Sequence, residues 1–197
     1  MTPHSHSLRE VLPTQKKGAQ NTMLIRKATC EEMLQLWGYQ DTTHVSPTAR
    51  FFYQNISTGN AVFWTLDHGG ELIGELYIFS DLEDKDFADG KTKAYLCAFR
   101  IKESYRGQGL GSALLEYVLK RLQESGIQEV TIGVEESEEA NVALYRRFGF
   151  TEKVKDCFED PCAIGEDMKP QKCHPFWLLS KKLVKECGQI RRKTNGI

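Results

Sequence analysis

The sequence predicts an α/β fold of the α+β type, a mixed central sheet of about six to seven strands with flanking helices. Two observations carry this. Residues 95–101 form an almost wholly apolar run, then a glycine-rich turn opens a helix with Leu110, Leu114, Val118 and Leu122 at four-residue spacing. A second apolar run, Glu129–Val134, follows directly after that helix stops at Gly126. A strand, a crossover helix and a strand give parallel neighbours joined in the right-handed sense. Upstream, residues 61–66 and 71–79 are strands flanking Asp67-His68-Gly69-Gly70, the signature of a hairpin, so antiparallel pairs join the parallel one.

The remaining elements follow in chain order. Residues 1–22 show no sustained period and are expected to be a flexible leader, with one folded domain over 23–187 and a basic tail over 188–197. Residues 23–27 read as the first strand. Thr29, with Glu32 three residues on, predicts a capped short helix carrying Met33, Leu34, Leu36 and Trp37. Pro47 suits the first position of a helix over 47–56. An acidic loop, 80–90, precedes the 95–101 strand. Ser137 is the expected N-cap of a helix with Glu138 and Glu139 in its first turn, Arg146 and Arg147 in its last, and Gly149 beyond. Residues 150–156 and 176–180 read as closing strands separated by a long loop.

Composition narrows the function. A chain of 197 residues, 40% apolar, is long enough for one domain with a sizeable core. A net charge of −1 gives no general pull toward nucleic acid or an anionic membrane, and no apolar run approaches a membrane span. The six cysteines form no paired framework, and residues 1–22 lack the apolar core of a signal peptide, so the expected setting is a reducing cytoplasm. Cys157, Cys162, Cys173 and His174 have metal-ligand chemistry but lack zinc-site spacing, so no metal is expected.

The long helix starts without an acid before Glu116, although a helix N-terminus ordinarily favours one. Glycines there leave the orphan N–H groups bare, as a bound phosphate requires. A triphosphate loop would need a lysine and a hydroxyl residue that are not so placed. A dinucleotide fold lacks its third glycine, and the 62 residues after Glu135 are too few for a second half. A turn without a ligand leaves the alternate glycines unexplained.

The run Tyr105-Arg106-Gly107-Gln108-Gly109-Leu110-Gly111-Ser112-Ala113-Leu114-Leu115 resembles the acetyl-CoA motif of the GNAT N-acetyltransferases, [RQ]-x-x-G-x-[GA]. Asn141-Val142-Ala143-Leu144-Tyr145-Arg146-Arg147-Phe148-Gly149-Phe150 is similar to a second block of that family in shortened form, and the order of elements matches from Met23 to about Leu183. The resemblance implies a GNAT-like fold and acetyl-CoA as cosubstrate, with no metal. It also implies direct acetyl transfer to a primary amine, in a small molecule or a peptide. The alternative is a non-catalytic acyl-CoA-binding sensor. A homodimer is left open.

The family pattern assigns roles residue by residue. Backbone N–H groups of Arg106, Gly107, Gln108, Gly109, Leu110, Gly111 and Ser112 would cradle the pyrophosphate. Main-chain groups of Phe99 and Ile101 would meet the pantetheine arm and the thioester oxygen. Tyr145 would be the general acid for the departing thiolate, with Asn141 one turn away on the same helix face. The strand carries no acid between Tyr95 and Arg100, so the base lies elsewhere; Glu75 is the first candidate, but it reads more readily as a solvent-facing residue and is not placed in the catalytic set. Acids in 80–90 and 156–167 would attract a cationic acceptor such as a polyamine or an aminoglycoside, or simply be solvated.

Overall fold

The computed structural model describes residues 10–12 and 22–183. The rest of the 1–22 leader and the 188–197 tail lie outside them. Thirteen-residue arms and short strands alike join one sheet. In chain order the elements are β1 (Glu10–Leu12), β2 (Met23–Ala28), α1 (Cys30–Leu36), α2 (Pro47–Thr58), β3 (Ala61–His68) and β4 (Glu71–Phe79). They continue with β5 (Lys93–Ile101), α3 (Leu110–Glu124), β6 (Glu129–Val134), α4 (Glu139–Arg147), β7 (Glu152–Ile164) and β8 (Pro170–Lys182). The sheet has eight strands in the order β1-β2-β3-β4-β5-β6-β8-β7, seven of them from Met23 onward. Only β5 and β6 pair in parallel among the described strands.

Local signals act as expected at several ends. Thr29 and Glu32 form the full capping box, and Pro47 sits at the start of α2 behind Ser46, whose hydroxyl accepts from Ala49 N. The 67–70 hairpin closes with Asp67 Oδ1 accepting from Gly70 N at 2.6 Å. Two core clusters line the sheet's faces: Leu114, Leu115, Val118 and Tyr145 belong to one, and Met33, Phe52, Phe63 and Tyr77 to the other. No described helix is long and apolar enough to cross a membrane.

Three expectations are corrected. The loop between the closing strands is two long strands, β7 and β8, turning at 165–169. Most of β7 is exposed or half-buried, and as the sheet's edge it tolerates Pro161. The N-cap of α4 is Glu138 rather than Ser137 and makes no side-chain cap; the Ser137 hydroxyl turns back to Glu135. Glu75 is buried, because β4 is covered on both faces through most of its length.

Candidate active site

The site begins where two strands part. β5 and β6 pair from Lys93↔Glu129 to Leu96↔Ile132 and no further. Beyond that point β6 follows β8, ending at Val134↔Trp177, whereas β5 stays with β4 to Ile101↔Gly74. The divergence coincides with a bulge: Ala98 and Phe99 together face Leu76, and Ala98 adopts a left-handed φ of 47°. A non-glycine residue in that region is strained, and such strain concentrates at functional sites.

A cleft of about 260 Å³ fills the gap, with Phe99 on one wall and Asn141 and Tyr145 on the other. Asn141 Nδ2 donates to Glu138 Oε1 at 3.0 Å. Tyr145 is 5% exposed, its ring 6.5 Å from Phe99 and 6.2 Å from Phe150. Its hydroxyl bonds to no described residue, and no buried side-chain polar atom is orphaned among them, so that oxygen opens into the cleft. Burial, with a smaller push from Glu138, raises the phenol well above its ordinary range and keeps it protonated.

The glycine turn leads into α3 as the sequence implies. Gly107 and Gly109 have φ of 74° and 78°, a region costing other residues roughly 1–2 kcal/mol. Gly109 is the N-cap, no side chain caps the helix, and the first turn holds no acid, so its N–H groups stay open to an anion. A Cβ on Gly111 would sit 3.3 Å from Phe99, so α3 begins close against β5. Leu110 packs against the core, and the Gln108 side chain reaches toward Ser104 O at 3.5 Å. Ser112 Oγ accepts from Arg147 Nη2 at 2.8 Å, which brings a guanidinium to the helix start.

Not every candidate joins the cleft. Arg106 Nε donates to Ile101 O at 2.9 Å, and both residues line a separate open basin of about 610 Å³. Between basin and cleft lies a chamber of about 260 Å³ walled by Trp37, Phe52, Cys162 and Ala163. Chamber and cleft share Ala98, Phe99 and Asp160; chamber and basin share Trp37, Thr48 and Arg100. Cleft, chamber and basin therefore adjoin across β5 at its bulge.

Glu75 stands in the basin wall, fully engaged. Arg100 Nε lies 2.6 Å from its Oε1, while Trp37 Nε1 and the Tyr77 hydroxyl donate to Oε2 at 3.1 and 2.9 Å. Burial and then the Glu75 charge push the Tyr77 phenol far above its ordinary range. Thr48 Oγ1 accepts from Ile164 N at 2.9 Å and donates to Ile164 O at 3.2 Å, tying α2 to the β7–β8 arm.

Most acids of the 80–90 loop are spent within the fold. Asp81 pairs with Lys85, and Asp84 and Asp86 grip Lys155. Burial raises the Asp89 carboxyl, but the N–H groups of Lys93, Lys91 and Thr92 outweigh it and hold it at about 2. Of the second acidic group, Asp160 reaches the chamber; its Oδ1 accepts from Cys162 N at 2.8 Å. Among the described residues no group of three or more His, Cys, Asp or Glu is arranged to hold a metal.

Sequence reasoning passed over Arg100, Trp37 and Thr48. Arg100 carried a signal, a lone charge inside an apolar strand.

Comparison with known proteins agrees with this geometry. Residues 26–150 match the model of the acetyltransferase (GNAT) family. N-acetyltransferase 8 of Rattus norvegicus is 28% identical over 105 residues, 53% of this chain and 46% of that protein. An N-alpha-acetyltransferase of Sulfurisphaera tokodaii is 29% identical over 108 residues, 52% of this chain and 64% of that protein. The chain thus spans about half the length of the first of these relatives and under two thirds of the second. Arabidopsis thaliana NAA60 in complex with acetyl-CoA shares the fold at a TM-score of 0.58 and 20% identity, covering 82% of this chain and 99% of that one. With two sequence motifs, a splayed strand pair and a family match over more than half of its length, the chain belongs to the GNAT acetyltransferase family.

Proposed function

We propose that the chain moves the acetyl group of acetyl-CoA directly to a primary amine. One observation carries it: the Tyr145 hydroxyl, bonded to no described residue, opens into a cleft that adjoins a second chamber across the strained bulge. The α3 N-terminus would receive the pyrophosphate, and the β5–β6 gap the arm that bears the thioester. The bulge leaves one residue of the Ala98/Phe99 pair without a ladder partner, and a main-chain N–H there would stabilise the oxyanion.

The bond changes balance without a protein nucleophile. An ammonium loses a proton, its nitrogen attacks the carbonyl carbon, and a C–N bond forms as the C=O opens to an oxyanion. Collapse breaks the C–S bond. Tyr145 gives its proton to the sulfur and recovers one from the nitrogen. The products are the acetamide, free coenzyme A and one proton.

Calorimetric titration of acetyl-CoA, paired with thiol release over a broad panel of amines, tests this. Binding plus amine-dependent thiol release is expected. Binding with no thiol release from any amine would instead support the acyl-CoA-binding sensor.

A further inference from the structure

We infer that the acceptor is a small amine carrying its own carboxylate, of the amino-acid type, with Arg100 as its specificity residue. This rests on the transfer function proposed above. The chamber holds one acid and one base, at opposite junctions. Asp160 lies where the chamber meets the cofactor cleft, so an ammonium drawn to it is held beside the thioester end. Arg100 lies where the chamber meets the outer basin. A molecule lodged between them has its nitrogen inward and its anion outward.

Arg100 is built for that role. Its Nε forms an ion pair with Glu75 at 2.6 Å, and Trp37 and Tyr77 hold Glu75 in turn, which anchors that edge of the guanidinium. Its Nη1 and Nη2 donate to no described residue, and the side chain is 59% exposed. Two parallel N–H donors in the planar guanidinium match a carboxylate bidentately. Of the basin's other cations, Lys102 pairs with Glu71 at 2.8 Å, whereas Arg106 bonds only to the Ile101 carbonyl among the described residues and keeps its charge. A polyamine's second ammonium would find no unpaired carboxylate among the residues lining this mouth, and would meet the Arg106 charge. The nearby start of α2, free of acids in its first turn, acts in the same direction.

Size and polarity fit as well. About 260 Å³ falls just under the range of about 300–1,000 Å³ usual for drug-sized ligands. Trp37, Phe52 and Phe99 make the walls apolar. Burial keeps the Cys162 thiol neutral, so it adds no competing charge. An amino acid with an apolar side chain satisfies all three features.

The test compares matched acceptors: leucine against isoamylamine, and phenylalanine against phenethylamine, with spermidine and a tetrapeptide amide free of charged side chains alongside. Thiol release from acetyl-CoA is the readout. The amino acid of each pair should lead its decarboxylated partner by about tenfold or more in kcat/KM, the range of a charge-assisted hydrogen bond. Arg100→Gln should collapse that ratio toward one, and Arg100→Lys should leave it intermediate. The ratio is internal to each variant, so a loss of folded protein scales both rates and leaves it unmoved. Equal or faster turnover of the decarboxylated amines, spermidine or the peptide would overturn the acceptor class alone. So would an unchanged ratio in Arg100→Gln. No thiol release from any amine would overturn the transfer function and this inference with it.

Discussion

Tyr145→Phe separates a proton donor from a packing residue, because the structure assigns the ring and the hydroxyl different jobs. The ring is 5% exposed and sits 6.5 Å from Phe99 and 6.2 Å from Phe150, contacts that phenylalanine keeps. The hydroxyl bonds to no described residue, so its removal leaves no partner unpaired and should change stability by less than about 1 kcal/mol. General acid catalysis contributes roughly 10²–10⁴-fold. The expected result is a fall in kcat of about 100-fold or more with KM for acetyl-CoA within about threefold. Thiol release under saturating acetyl-CoA measures it. The pH profile gives a second check. Burial raises the phenol, so the protonated, donating form persists to higher pH than in water, and this group should cause no descending limb below about pH 10. A kcat within about twofold of wild type would remove Tyr145 from the proton path.

Three further outcomes follow from the same geometry. Gly109→Ala forces a Cβ into a φ of 78° at the α3 N-cap; at roughly 1–2 kcal/mol, KM for acetyl-CoA should rise about 5- to 30-fold, and an unchanged KM would show that the turn does not hold the phosphates. Thr48→Val leaves Ile164 N and O without their shared partner, so chemical denaturation should show a loss of about 1–2 kcal/mol; a loss below about 0.3 kcal/mol would mean that the tie between α2 and the β7–β8 arm is idle. Asp89, held at about 2 against an ordinary 3.8, contributes stability that is present above the higher value and lost as pH falls through the lower. Asp89→Asn should therefore be less stable than wild type at pH 7 and converge with it near pH 2, and a gap that stays constant with pH would contradict the assignment.

Much of the fold was legible because local chemistry and tertiary context agree. The α3 stripe, the Thr29 capping box and the 67–70 hairpin each rest on residues whose local preferences the packed structure keeps. The β7–β8 arm was not legible. Register shifts near Lys153, Cys157 and Asp160 break the two-residue alternation, and Pro161, Gly165 and Pro170 mimic a loop. Glu75 misled for a different reason: polar residues in a strand usually face water, but this one is held by two donors, Trp37 at α1's end and Tyr77 on β4, and by an ion pair with Arg100 on β5. The cofactor half of the site was readable because phosphate binding depends on backbone, and glycines announce backbone. The acceptor half depends on which side chains meet across α1, α2, β5 and β7. No contiguous motif records that meeting.

Direct transfer is tested most squarely by incubating the protein with deuterated acetyl-CoA and an amine substrate, then following the label by mass spectrometry. The label should appear on the amine nitrogen, one acetamide for each coenzyme A thiol released, with none on the protein. Thiol released without labelled acetamide would indicate hydrolysis. A labelled protein chain that passes its acetyl group on to the amine, for instance through Cys97 or Cys173 in the cleft wall, would contradict attack by the amine itself.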